Sequence, residues 1–299
     1  MRQPKQAILI TAYKQIDPIL QIIDYFDNRF EFYIHIDKKS MLDLSSLYQI
    51  TDKKVYVYRQ YSVNWGGFNH LKAILLLAEE ALKNEENTLF HLITGEDFPC
   101  KPTAYFFENI DCTKDYIDVF KMPHWAWPDN GGMDRVDYYN FHDLLNAKKR
   151  GRLVNLPVKI QKMFKLKRSF PANFPRLYGG STYWSLSSQT LQYVVDYPRR
   201  NKPFFDRMKY TFCAEEFYFQ TVIMDSPFAG NRAEGNLRYI DWSSNRGGRP
   251  AFLDESDFPE IIASNALFAR KLDMQNKAMN LRKMLLAANR INGSGKLND

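Results

Sequence analysis

Short apolar runs alternate with segments of helical periodicity across the first 120 residues, and that rhythm restricts the fold more than any other feature. Ala7–Tyr13 (AILITAY), Phe32–Asp37 (FYIHID), Val55–Arg59 (VYVYR), Leu89–Thr94 (LFHLIT) and Tyr116–Phe120 (YIDVF) read as strands. Asp17–Asp27 reads as a helix with Asp17 as N-cap and Pro18 at the first helical position, and Gly67–Lys83 as a second helix. Strand, helix and parallel strand in succession predict a mainly parallel sheet covered by helices. The 299 residues suit one large α/β domain or two small ones, and no internal repeat or dividing linker stands out. The expectation is one domain, with a nucleotide-binding half over 1–121, an acceptor and catalytic half over 122–290 and a frayed tail over 291–299.

The later chain is less regular. Gly95–Pro99 reads as a turn and His124–Gly132 as a loop rich in Trp, Pro and Gly. Tyr178–Leu186 reads as one strand entered through a Gly-Gly kink, and Ser188–Tyr197 as a helix. Leu237–Trp242 reads as a strand, and helical segments follow the Ser243–Pro250 loop as far as Arg290.

Absent motifs exclude several chemistries. No GxGxxG follows the first strand, and GxxxxGK[ST], GxSxG and HExxH are missing. The five His lack metal-ligand spacing, the three Cys form no CxxC pair, and there is no Asp-x-Asp to hold a divalent ion against a diphosphate. The expectation is therefore no metal and no cofactor. Unpaired cysteines, and an N-terminal apolar run too short for a span and unlike a signal peptide, fit a cytoplasmic setting.

The net charge of +7 is uneven: Lys148–Arg168 is densely basic and has no acid. Such a stretch attracts phosphates, nucleic acid or an anionic membrane surface, or is simply a solvated face. Nucleic acid is disfavoured, because Phe164 is the one aromatic there. Leu153, Leu156, Val158, Ile160, Met163 and Phe164 would add an interfacial face, with Pro157 interrupting any single helix. That fits a protein peripheral on the inner face of a membrane.

Two places carry candidate chemistry. Ligands of open α/β sheets bind beyond the carboxyl ends of the strands, where Tyr13, Asp37, Glu96 and Asp97 fall. In Cys213–Thr221 (CAEEFYFQT), Glu216, Phe219, Gln220 and Ile223 share helical spacing, which sets Glu216 above an apolar face. A carboxylate there is poorly solvated, its pKa rises, and it can act as a general base near neutral pH. The competing reading is an acid favoured in a first helical turn by the dipole.

The runs YIHIDKKS (Tyr33–Ser40), SVNWGG (Ser62–Gly67), LITGEDFPCK (Leu92–Lys101), YGGSTYWSL, AEEFYFQT, LRYIDW and LFARKLD (Leu267–Asp273) together resemble the core-2/I-branching β-1,6-N-acetylglucosaminyltransferase family, which includes peptide O-xylosyltransferases. The resemblance runs from Ala7 to Asp273. Lys121–Pro175 matches nothing in the family's pattern, which leaves the acceptor open. The family's cysteine-rich secretory pattern is missing too, as in a bacterial relative.

The resemblance implies a GT-A-type α/β fold with a Rossmann-like sheet, and an inverting, metal-independent transfer. Glu216 falls at the catalytic base, Asp37 at the nucleotide site, and Arg238 and Lys271 at the cations on the diphosphate. Arg270 joins those cations as a candidate. Ala12, Tyr13, Trp65 and Gly66 complete the nucleotide candidates, and Glu96, Asp97, Ser181, Trp184 and Glu215 the sugar candidates. Trp65 and Trp184 also have a packing reading. The implied activity moves a sugar, GlcNAc from UDP-GlcNAc first and xylose from UDP-xylose second, to a hydroxyl of a glycan or lipid-linked glycan. A non-catalytic carbohydrate- or phosphate-binding module is the alternative.

Overall fold

The computed structural model describes residues 4–146, 151–171, 174–243, 246–273 and 278–294. Its strands are β1 (Lys5–Ala12), β2 (Phe30–Ile36), β3 (Lys54–Tyr58), β4 (Asn87–Thr94), β5 (Asp97–Pro99), β6 (Tyr116–Ile117), β7 (Phe120–Lys121), β8 (Tyr178–Gly179), β9 (Trp184–Ser187), β10 (Arg238–Ile240) and β11 (Phe268–Arg270). The longer helices are α1 (Asp17–Tyr25), α2 (Phe68–Leu82), α3 (Leu156–Met163), α4 (Ser188–Arg200), α5 (Lys202–Met208), α6 (Glu215–Met224) and α7 (Ala278–Ser294).

The six-stranded sheet has the order β3-β2-β1-β4-β9-β6. Its first four strands are parallel, and β9 lies antiparallel to both β4 and β6. Every residue of β2 is buried, as an apolar run covered on both faces requires. One face packs on α2, α4 and α6 through residues such as Leu71, Leu191 and Phe219. The other meets α1 and α7 through Phe26, Phe30, Phe106, Phe268 and Leu281. Each fully buried Phe contributes about 1.5–3 kcal/mol of apolar transfer. A three-stranded sheet, β10-β11-β5, caps that second face.

Register decides what the sheet presents. Thr11 of β1 pairs with His35 and Thr94, and Ala12 with Ile36. The chain therefore leaves β1, β2 and β4 at one edge, carrying Tyr13, Asp37 and Glu96 to a common place.

Several expectations need correction. Tyr178–Leu186 is not one strand: β8 pairs with β7, β9 joins the large sheet, and Gly180 lies between. Gly180 cannot carry a side chain, because an added Cβ would collide with the Asp118 carbonyl. Tyr116–Phe120 likewise breaks into β6 and β7. The expected turn at Gly95–Pro99 contains β5, and the expected helical C-terminal part contains β11. Three-residue strands carry too little pattern to be read locally; these two form by pairing across the fold, β5 with β11 and β11 also with β10. Asp17 is the first residue of α1, preceded by Ile16, and supplies no side-chain cap. Leu153–Phe164 is not one helix: a 3-10 turn over Gly151–Asn155 ends where α3 begins, and Pro157 sits in the first turn of α3, where no N–H is needed. The tail is helical through Ser294, and 295–299 lie outside the described residues. The two halves also interleave: β9 completes the first half's sheet, and β5 joins the second half's.

Candidate active site

The site is assembled at that sheet edge by the loop between β3 and α2. Asp37 Oδ1 accepts from the backbone N–H groups of Lys39 (3.0 Å) and Val63 (3.1 Å), which ties the loop to the end of β2. Lys39 Nζ reaches the Val63 carbonyl at 2.7 Å and Asp37 Oδ2 at 3.5 Å. At its far end the loop meets the start of α6, where the Cys213 N–H donates to the Gly66 carbonyl at 3.1 Å. Gly66 has φ +76°, and an added Cβ would strike the Phe212 ring. This contact holds Trp65 outward, 66% exposed, with its ring edge-on to Phe212.

Successive helical residues diverge by about 100°, so the two acids that open α6 separate. Glu215 turns inward, 4% exposed, with Oε1 2.9 Å from His70 Nδ1 and Oε2 buried without a partner. Burial opposes a charge on His70, but the Glu215 carboxylate outweighs it and raises the His70 pKa. Glu216 turns outward and keeps 26% of its side chain exposed. Its Oε2 accepts from Arg135 Nη1 at 2.6 Å. The Arg135 guanidinium lies 4.4 Å from the Trp127 ring and 5.5 Å from that of Phe212. Burial pushes the Glu216 pKa up to about 7; Arg135 pulls it down and Glu215 adds to the rise. A half-titrated carboxylate that solvent can reach is the form a general base takes.

A second cluster lies where β4 passes into β5. Glu96 sits between two lysines, with Lys14 Nζ 2.5 Å from Oε1 and Lys271 Nζ 3.5 Å from Oε2. Burial alone would lower the Lys14 pKa, but Glu96 reverses the direction. Two ammoniums against one carboxylate leave a positive spot suited to phosphate. Beside it, Arg270 pairs with Asp97 at 2.8 Å and lies 4.0 Å over the Tyr183 ring. Burial raises the Tyr183 pKa, and the charges of Arg270, Glu96 and Glu216 all act on it. Among the described residues no three His, Cys, Asp or Glu gather as metal ligands.

A model of the Core-2/I-Branching enzyme family matches residues 7–265. The chain belongs to the core-2/I-branching family. It is 24% identical over 253 residues to xylosyltransferase 2 of Mus musculus, covering 79% of this chain and 26% of that one. It is 33% identical over 108 residues to a beta-glucuronosyltransferase of Arabidopsis thaliana, covering 35% of this chain and 24% of the other. The chain thus spans about a quarter of the length of these curated relatives. Mouse xyloside xylosyltransferase 1, in its apo form, superposes over 92% of this chain and 99% of its own, at TM-score 0.38 and 8% identity.

In this core-2/I-branching chain most of the sequence candidates fall into two groups. Glu216, Trp65, Gly66 and Asp37 share the loop-and-helix site, while Ala12, Tyr13, Glu96, Arg270 and Lys271 gather at the cation cluster. Ser181 lies near the helix, its carbonyl accepting from Gln220 at 2.7 Å.

The remaining candidates are buried. Trp184 is fully buried against Phe219 and has no face for a sugar. Asp97 is also fully buried and takes bonds from Thr94 and Arg270. Glu215 lies beneath Glu216, paired with His70. Arg238 is buried, and its Nη1 and Nη2 donate to Ser185 Oγ (2.6 Å) and to the carbonyls of Asn236, Leu92 (3.1 Å) and Trp184 (2.7 Å). Carbonyls that already occupy the guanidinium make it a tie between the two sheets, not a diphosphate clamp.

Sequence reasoning missed Arg135, Lys14, His70, Tyr183 and Asp118. Tyr183 immediately precedes β9, and no sequence signal marks it. Asp118 follows β6, its carboxyl 2.6 Å from Asn236 Nδ2, and burial raises its pKa.

Proposed function

We propose that this chain is an inverting, nucleotide-sugar-dependent glycosyltransferase in which Glu216 is the general base. The observation that carries the reading is Glu216 itself: a solvent-reachable carboxylate with its pKa pushed up to about 7, at the start of a helix bonded to the loop that carries the exposed Trp65. An acceptor hydroxyl loses its proton to the Glu216 carboxylate as its oxygen bonds to the anomeric carbon of the donor. The bond from that carbon to the β-phosphate oxygen breaks, the departing nucleotide diphosphate keeps the electron pair, and the configuration inverts. General-base assistance of this kind is worth ~10²–10⁴ in rate. Charge that develops on the β-phosphate is met by Lys271 and Lys14, with Arg270 behind them, so fixed ammoniums take the part a divalent metal would otherwise play.

UDP-GlcNAc is the first donor to test. The similarity to xylosyltransferase 2 over most of this chain favours UDP-xylose as the second. The test is a panel of UDP-sugars in excess EDTA, with and without hydroxyl-bearing glycans, read as UDP release and as sugar transferred. Acceptor-dependent UDP release from one donor supports the reading. Donor binding without turnover, under any acceptor and with metal restored, supports the binding-module alternative instead.

A further inference from the structure

The basic stretch between the two halves has a structure that the transfer chemistry does not use. Its described part begins at Gly151 and contains α3; Lys148, Lys149 and Arg150 lie outside the described residues. Leu153, Leu156, Ile160, Met163, Phe164 and Leu166 are all exposed, Met163 by 69% and Phe164 by 63%. Leu156, Ile160 and Met163 recur at i, i+4 and i+7 and so share one face of α3. The opposite side is fixed to the body, where Gln161 bonds both the N–H (2.8 Å) and the carbonyl (3.0 Å) of Tyr139. Six large apolar side chains on one short excursion exceed the scattered exposure of an ordinary soluble surface.

The charged side chains of the stretch itself are all basic, and its acidic neighbours belong to the segment before it. Lys162 and Lys167 pair with Asp134 and Asp137. Lys159 and Lys165 are exposed and have no ion-pair partner among the described residues. An open cleft of about 470 Å³, almost wholly apolar, runs beside α3 between Tyr139, Phe141, Ile160 and Leu166. An apolar stripe with the exposed, unpaired Lys159 and Lys165 at its rim is complementary to an anionic lipid surface, with acyl chains for the stripe and headgroups for the ammoniums. Among the described residues no helix is long and apolar enough to cross a membrane, so contact here would be with the surface.

We propose that this excursion docks the protein on an anionic phospholipid bilayer. The turn Asp134–Asp137 connects it to the catalytic site: Arg135 reaches Glu216, while Asp134 and Asp137 hold Lys162 and Lys167. If the transfer reading holds, docking presents a lipid-borne acceptor beside the base. The docking itself does not depend on that reading.

The test is sedimentation of the full chain with vesicles of phosphatidylglycerol and phosphatidylcholine, or of phosphatidylcholine alone, at low and high salt. Most of the protein is expected to pellet with the anionic vesicles at low salt. Partitioning should fall by about tenfold or more at high salt. Met163→Glu with Phe164→Glu should abolish binding while circular dichroism and the melting curve stay unchanged. Lys159→Gln with Lys165→Gln should weaken it and flatten its salt dependence. Protein that stays in the supernatant with both lipids overturns the proposal, as does a glutamate variant that pellets like the parent. A dimer by light scattering that the glutamate variant breaks, without vesicle binding, would reassign the stripe to a second copy of the chain. Because the readout is sedimentation, failure of the transferase reading leaves this result interpretable.

Discussion

Removing the Arg135 guanidinium should move the pH dependence of turnover without abolishing it. The cation stabilises the ionised form of Glu216, so Arg135→Met should raise the Glu216 pKa. Unit charges about 4 Å apart interact by ~4 kcal/mol at an effective dielectric constant near 20. Arg135 and Glu216 keep 18% and 26% of their side chains exposed, so solvent takes a good part of that. A remainder of ~1.4–2.7 kcal/mol corresponds to ~1–2 pH units. The acid limb of kcat/KM should therefore move from about 7, the value to which burial raises Glu216, to ~8–9. At pH 7 the ionised fraction drops from near half to ~1–10%, a rate loss of ~5–50-fold that alkaline pH restores. Arg135→Lys keeps the charge and should hold the limb within ~0.5 unit of the parent. The assay is a steady-state pH profile of kcat/KM for parent and variants. A limb that stays put in Arg135→Met, or moves to lower pH, refutes the coupling.

Other substitutions separate catalytic roles from structural ones. Lys271→Ala should lower kcat by ~10–100-fold while changing donor affinity only a few-fold, since its charge matters most as the leaving group departs; calorimetry alongside kinetics checks this. Arg238→Met leaves buried carbonyls unpaired between the sheets and should cost ~3–5 kcal/mol of stability, read as a fall in Tm. Trp65→Ala should raise KM for one substrate and leave Tm nearly unchanged, because the exposed indole packs little of the core.

The parallel half of the fold is legible because β1, β2 and β4 are covered on both faces and so read as continuous apolar runs. β5 and β11 are not, because each is three residues long and is held by pairing with strands far away in sequence, β5 on β11 and β11 on β10 as well. Glu216 can be found from its helical spacing, which sets an acid over an aromatic face. Arg135 cannot: it comes from a segment without periodicity and meets Glu216 across 81 residues of chain. Arg238 lies at the start of a readable strand, but whether its guanidinium faces a ligand or the carbonyls of β4 and β9 depends on tertiary packing. The same holds for Asp97, which sits at the ligand-binding edge of the sheet yet points into it.

The most direct measurement compares Glu216→Gln with the parent for sugar transfer and for donor binding, on the same preparations. Glutamine keeps the shape, and its amide oxygen can still accept from Arg135, but it cannot take the acceptor's proton. Transfer is expected to fall by ~10²–10⁴, with the donor Kd within about twofold of the parent's because the phosphate cations are untouched. Transfer within a few-fold of the parent's would contradict Glu216 as the base.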